Sequence, residues 1–346
     1  MKQTFGQKTD SMSKRRLPRR PARRTAVTAC TALICLWLFT LMLYRRGDFA
    51  LEPDEFEQNH HSVTQQLADI TKTYSSNSTI ALVLAATQSE DLTWLLDYCR
   101  DQYVIPHLLC TQPYADPRQT SDAIPLIYTT DPKPAPHLLV PHTTRGREAA
   151  AYLSYVVDFY DQLPPYTIFI HSNQDQWHND LFGPKTSVAL RNLRLEAVAA
   201  QGYVNLRCEH DPGCPTNVHP WSPTQIDIDK KDIRVYFPQV YQTLFGVGKE
   251  RVPEHIGNVC CGQFAVSRER ILQRPKRDYQ RMLAWAAETD LADSFEVEWV
   301  FEKVWHVVFG MEDIYCPRFE QCRCDVYGWC GPLANGETLQ AVRVRA

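Results

Sequence analysis

From residue 80 onward, short apolar runs alternate with segments of helical spacing. "TIALVLAAT", "IPHLLCTQ", "AIPLIYTT" and "YTIFIHS" have the length and apolar content of buried strands. Between them, "SEDLTWLLDYC" reads as a helix with Ser89 as its cap. Leu153, Val156, Val157 and Tyr160 fall at i, i+3, i+4 and i+7, which predicts a helix from about Arg147 to Tyr160. Pro164 and Pro165 stop it, because proline cannot continue a helix. "TSVALRNLRLEAVAAQG" predicts one more helix, ended by Gly202. "NVCCGQFAVSRERIL" predicts a strand and then a helix capped by Ser267. "DYQRMLAWAAETDL" and "DSFEVEWVFEKVWHVVFG" both have helical spacing, and the Pro-, His- and Asp-rich residues 208–232 read as a loop excursion. Alternating strands and helices argue for an α/β domain with a mostly parallel sheet and flanking helices.

The first eighty residues follow a different pattern. Thr25 to Tyr44 carry no charge and are mostly apolar, which matches the roughly 20 residues a helix needs to cross a bilayer. Residues 1–24 hold nine Lys or Arg against Asp10, a charge of +8, which leaves −11 for Arg45 onward within the overall −3. A basic flank before the span and acids after it predict an N-terminus in the cytoplasm. A cleaved signal peptide fits less well, since the apolar run is long and no A-x-A-like site is clear. The expected organisation is a basic cytoplasmic tail (1–24), a signal anchor (25–44), a flexible stem (45–78) and a lumenal α/β domain (79–346). The membrane would be that of the Golgi or endoplasmic reticulum, single-pass and type II. "NST" at Asn77 is a glycosylation acceptor in the stem. The basic run is explained by topology, and nothing suggests nucleic-acid binding.

Ten of the twelve cysteines lie outside the span, and an oxidising compartment makes disulfides their default. "CEHDPGC" reads as a loop closed by Cys208 and Cys214. The Cys-rich segment 316–330, with Cys316, Cys322, Cys324 and Cys330, has material for two bridges, although pairing is not readable from sequence. Its spacing lacks the paired knuckles of a zinc site. Adjacent Cys260 and Cys261 are expected to have separate fates.

The chemistry-bearing residues cluster where a strand ends. "YTIFIHSNQDQWHND" places His171, Asn173, Asp175, Trp177, His178, Asn179 and Asp180 just past a strand, and α/β sheets bind ligands outside the carboxyl ends of their strands. Imidazole, amide and carboxylate together can bind sugar hydroxyls, a phosphate or a divalent ion, and Trp177 offers a face for stacking. A well-bonded loop is the plainer alternative. His171, His178 and Asp175 are the candidate ligands for Mn2+ or Mg2+. The only D-x-D, Asp227–Ile228–Asp229, lies in the excursion and is easily produced by chance. Glu298, Glu302 and His306 share one stripe of the last long helix, where a carboxylate can orient an imidazole as a general base. An ordinary surface ion pair competes with that reading. In "CCGQFAVSRE", Gly262 permits close approach and Gln263 supplies an amide. Arg145, Arg147 and Glu148 stand at a helix start, where exposed N–H groups can receive an anion or the arginines can simply be solvated.

"RGREAAAYLSYVVDFYDQLP", "FIHSNQDQWHND", "GYVNLRC", "CCGQFAVSRERI" and "FEKVWHVVFG", in that order, resemble a fungal domain-of-unknown-function family, from about Ile80 to Gly310. The family resemblance raises His171, Trp177, His178, Gln263, Glu302 and His306 among the candidates, while Glu298 sits outside its pattern. A more distant likeness is to Golgi glycosyltransferases with the nucleotide-diphospho-sugar transferase fold, from which this chain departs in lacking the D-x-D after the central strand. That likeness implies a nucleotide-sugar donor and a glycan or small-molecule hydroxyl acceptor. Glu302 or His306 would act on the acceptor hydroxyl, while His171, His178, Trp177, Gln263 and Arg145 contact the donor. Two other readings stand beside it: a non-catalytic carbohydrate-binding or assembly protein with a transferase-like fold, and a hydrolase using two of the same carboxylates. No G-x-S-x-G is present for a serine esterase.

Overall fold

The computed structural model describes residues 53–75, 78–104 and 123–344. The expected membrane span, Asn77 and the apolar run at 105–112 lie outside the described residues. Among the described residues no helix is long and apolar enough to cross a membrane. The sheet, cores and pocket all belong to one compact unit, Glu55–Ala346.

The elements, in chain order, begin with α1 (Pro53–Tyr74), β1 (Ile80–Ala85), α2 (Thr93–Val104), β2 (Ala123–Tyr128), α3 (Arg147–Phe159) and β3 (Tyr166–Phe169). Then come α4 (Thr186–Asn192), α5 (Leu195–Gln201), β4 (Tyr203–Asn205), α6 (Gln225–Lys230) and α7 (Phe237–Phe245). The chain continues through β5 (Gly257–Asn258), β6 (Phe264–Ser267), α8 (Arg268–Leu272), α9 (Lys276–Glu288), α10 (Ser294–Val308), β7 (Ile314–Tyr315) and α11 (Phe319–Tyr327). The main sheet has five strands in the order β2-β1-β3-β6-β4. β1 pairs in parallel with β2 and β3, and β6 runs antiparallel to both β3 and β4. One strand alone is therefore reversed, as a mostly parallel sheet requires. β5 and β7 form a separate parallel pair.

The sheet is buried on both faces, so β1 and β2 read as unbroken apolar runs rather than alternating ones. One core holds Val83, Tyr152, Phe169, Phe264, Phe301 and Trp305 under α3, α9 and α10. The other holds Leu82, Leu84, Ile168, Val204 and Ala265 under α1, α2 and α5. Gly146 is required where α3 meets α10: its φ is +92° and an added Cβ would stand 2.7 Å from Val297 Cγ1. Ser267 caps α8 by accepting from the Arg270 N–H, as its position implied.

Several expectations are corrected. The expected flexible stem contains α1, whose Val63 and Leu67 are buried in the second core. A narrow stripe of Val63, Leu67 and Ile70 is enough to seat a helix that is otherwise polar. Ser89 does not cap α2: its Oγ pairs with Thr87 Oγ1, and it is Asp91 that accepts from the Thr93 N–H, at 2.9 Å. The segment 186–202 forms two helices, broken where Leu193 and Arg194 are extended, and Gly202 ends the second at φ +81°.

The cysteines pair differently from their sequence neighbourhoods. Cys208 bonds Cys322 and Cys214 bonds Cys316, with Cα separations of 5.7 and 5.9 Å. No bridge closes Cys208 on Cys214, because the excursion folds back against α11 and brings the distant partners closer. Within the C-terminal segment only Cys324 and Cys330 bond each other. Cys260 and Cys261 are joined to one another across a cis peptide, so they share one fate. The expectation of separate partners rested on the strain that a bridge between neighbours places on the peptide joining them. Cys99 remains a buried thiol, its pKa pushed up to about 12 by burial.

Candidate functional site

A cavity of about 210 Å3 opens between the start of α3, the end of β3, the turn before β6 and one side of α10. Because Phe169 pairs with Phe264, the loop after β3 and the turn entering β6 lie at one edge of the sheet. That edge is where the carboxyl ends of β1, β2 and β3 lie, the usual ligand position in α/β sheets. Glu148, His171, Glu298 and Glu302 line the cavity, together with Tyr152, Gly262, Phe295, Trp299 and Trp305.

Each polar group has a structural reason for its place. Glu148 sits in the first turn of α3, where a carboxylate is favoured by the helix dipole. Glu298 and Glu302 are one turn apart on α10, so both face the cavity. The His171 N–H donates to Gln263 Oε1 at 3.1 Å. The Gln263 amide in turn donates to Asn179 Oδ1 at 3.0 Å. Gln263 is thus buried scaffolding that fixes the backbone of His171. The imidazole of His171 lies between two acceptors: Nδ1 is 3.3 Å from Glu148 Oε1 and Nε2 is 2.9 Å from the Cys261 carbonyl. An imidazole satisfies both only when both ring nitrogens carry hydrogen.

The protonation states separate accordingly. Burial pulls the pKa of His171 down, but the hydrogen bond and charge of Glu148 outweigh it and the net shift is upward. Burial pushes Glu148 up, and its hydrogen bonds with His171 and Glu298 override this, so that carboxyl is held well below its ordinary range. Glu298 moves the other way. Burial first, then the hydrogen bond with Glu148 and its charge, raise it to about 9. Arg147 Nη1, 3.5 Å from Glu298 Oε2, opposes the upward shift of Glu298 without cancelling it, so the two contacting carboxyls titrate as a pair that shares a proton beside the His171 imidazole. Two contacting carboxyls whose surroundings drive their pKa values apart can serve as an acid and a base. Glu148, His171 and Glu298 are 25%, 20% and 22% exposed at the side chain, so solvent reaches all three.

Residues 82–325 match the family described as "Protein of unknown function (DUF3431)". The chain belongs to that family. No curated protein and no solved structure matches it. The family match spans every residue that lines the cavity.

Within this DUF3431 chain the expected site residues are only partly brought together. His171 and Glu302 share the cavity. His178 is the neighbour of His171, with ring centroids 5.3 Å apart, but it does not line the cavity. Burial, the nearby His171 and then Arg207 hold it neutral, with its pKa down to about 3. His306 is fully buried, and its Nε2 donates to the Asp313 carbonyl at 3.0 Å. It lies outside the cavity, because i+8 carries it a turn beyond Glu302 and into the core. Arg145 binds no open anion site; its guanidinium donates to the carbonyls of Ala287 and Ala292, clamping the entry to α10. Asp175 is exposed and forms an isolated antiparallel bridge with Lys185. Trp177 is exposed outside the cavity.

His171, His178 and Asp175 do not form a metal site. His171 spends both nitrogens on Glu148 and Cys261, and among the described residues no group of three or more His, Cys, Asp or Glu is arranged to hold an ion. The residues present do not fit the expected Mn2+ or Mg2+. Asp227 of the D-x-D is occupied as the capping partner of Thr224 in α6. Sequence reasoning ranked Glu298 low and gave Glu148 only a helix-start role. The available signal was their spacing: an acid two residues after Gly146 in a helix start, and an acid one turn before Glu302.

Proposed function

We propose that this protein is a carbohydrate-active enzyme that transfers a glycosyl group to a hydroxyl, with Glu298, held against Glu148 and His171, giving the proton and Glu302 receiving one. The observation carrying this reading is the convergence of Glu148, Glu298, Glu302 and His171 on one cavity walled by Trp299, Trp305 and Phe295. Aromatic faces and hydrogen-bonding carboxyls suit a neutral, hydroxyl-rich ring. In the reaction, the bond from the anomeric carbon to the leaving oxygen breaks as Glu298 delivers its proton to that oxygen. The incoming hydroxyl, of a sugar or of water, forms the new bond, and its proton passes to Glu302. Glu148 and Glu298 are in contact, so they act as one proton-holding unit and do not straddle the scissile bond as paired glycosidase carboxylates do.

The leaving group separates two donors. A glycosidic oxygen needs a proton, whereas a nucleoside diphosphate needs positive charge. The carboxyl pair offers the proton, and the cations beside the cavity are already paired, Arg147 with Glu298 at 3.5 Å and Lys303 with Glu302 at 3.5 Å, which favours a glycoside donor. A nucleotide-sugar donor is the second reading, favoured by the cavity's place at the carboxyl edge of a mostly parallel sheet. Incubating the protein with aryl glycosides and with nucleotide-sugars, and following phenol or nucleotide release, decides between them. Turnover of the aryl glycosides supports the first reading, nucleotide release supports the second, and neither would reject both.

The same proposal places the enzyme in the secretory pathway as a type II membrane protein, in the Golgi or endoplasmic reticulum. Four disulfides support an oxidising compartment. The basic tail and the uncharged run at 25–44 support an anchor.

A further inference from the structure

Trp177 is 71% exposed, yet its ring is not loosely held. The Arg207 guanidinium lies 5.5 Å from the ring centroid and covers one face. Arg207 itself is buried, and it donates to the carbonyls of Glu209 at 3.1 Å, His178 at 3.0 Å and Asp211. A cation committed to three backbone carbonyls is a fixed support. It ties down both the indole and the backbone of the next residue, leaving the outer face of the indole to solvent. The ring also meets His178 edge-on at 5.5 Å, and His178 meets His171 at 5.3 Å. The platform is therefore two ring contacts from the acid–base group.

Size explains why a platform is needed there. A cavity of about 210 Å3 is smaller than the ~300–1,000 Å3 of pockets that take drug-sized ligands, so it accepts one sugar ring and not a chain. A ring held in place before binding costs little ordering entropy when a ligand stacks on it. We propose that Trp177 is a stacking subsite for a second sugar ring, so that the substrate is an oligosaccharide rather than a free monosaccharide. This rests on the reading that the cavity holds a sugar ring.

The test is titration calorimetry of the full chain in detergent with mannotetraose, cellotetraose, laminaritetraose and chitotetraose, each beside its monosaccharide. Wild type should bind at least one tetraose more tightly than its monosaccharide. Trp177→Ala should weaken that tetraose roughly 3- to 10-fold, as loss of an aromatic stacking contact implies, and leave the monosaccharide unchanged. Trp177→Phe should recover part of the loss. A wild type with no preference for any tetraose, or a Trp177→Ala protein that binds the tetraose as wild type does, overturns the subsite. Glu298→Gln separates this from the enzymatic reading. Tetraose binding that depends on Trp177, without any turnover that Glu298→Gln removes, leaves the subsite standing and rejects the catalytic role.

Discussion

The carboxyl of Glu298, on α10, meets the carboxyl of Glu148, at the start of α3, in one cavity, and their contact pushes the first up and holds the second down. The contact depends on close approach of the two helices, which Gly146 permits by having no Cβ against Val297. His171 completes the group from the end of β3. Three separate elements thus converge on one shared proton.

That proton has a consequence for stability. Glu298 is raised from its ordinary 4.5 to about 9, so the folded protein holds a proton that the unfolded chain releases between those values. The stabilisation it supplies is complete below pH 4.5 and is lost as pH rises through about 9. Glu298→Gln removes the titration. Thermal unfolding across this window should show the wild-type midpoint falling relative to that of Glu298→Gln as pH rises. A constant difference between the two would mean that Glu298 carries no retained proton.

His306 should behave as a core residue. Burial keeps it neutral, lowering its pKa from 6.5 to about 4, and its one bond is to the Asp313 carbonyl. His306→Ala should cost about 2–4 kcal/mol of stability, from a cavity and an unpaired carbonyl. The unfolded chain takes up a proton on His306 as pH falls below 6.5, so the native state loses stability from there down to about 4. Denaturant titration of His306→Ala should show this acid sensitivity reduced. Any turnover left at low temperature should keep the wild-type pH profile, because His306 does not touch the cavity.

The two long-range disulfides hold the excursion to α11 and to the segment just before it. They close separations of 114 and 102 residues, so each restrains the unfolded chain far more than Cys324–Cys330, which closes six. Replacing Cys208 and Cys322 together by Ser should cost roughly 2–5 kcal/mol, and the Cys324/Cys330 double substitution clearly less. Unfolding in urea measures both.

Helix α1 is part of the folded unit. Leu67 is fully buried, and Leu67→Ala should destabilise the protein by about 2–5 kcal/mol. A freely moving stem would tolerate the change without effect.

The sheet and its main helices were legible because strands buried on both faces leave unbroken apolar runs, as β1 does, and because Leu153 to Tyr160 kept strict helical spacing. Helix α1 was not legible, since Val63, Leu67 and Ile70 are too few to show through a polar segment. The disulfides were hidden for a topological reason: Cys208 and Cys322 meet only after the chain has folded. The position of His171 followed from the strand that precedes it. Its partner Glu148 lies 23 residues earlier, and no spacing rule links the two. Extending the carboxylate stripe of α10 to His306 failed because Glu302 lines the cavity while His306, one turn on, is fully buried.

The central claim is that the proton on Glu298 is spent on the leaving oxygen of a sugar. It is tested most directly by the release of nitrophenol from nitrophenyl glycosides against pH, for wild type and Glu298→Gln, with thermal midpoints as the control for folding. Wild type should turn over and lose activity as pH rises through about 9, and Glu298→Gln should be slower by roughly 10²–10⁴-fold while remaining folded. A folded wild type without turnover, or Glu298→Gln with wild-type rates, would contradict it.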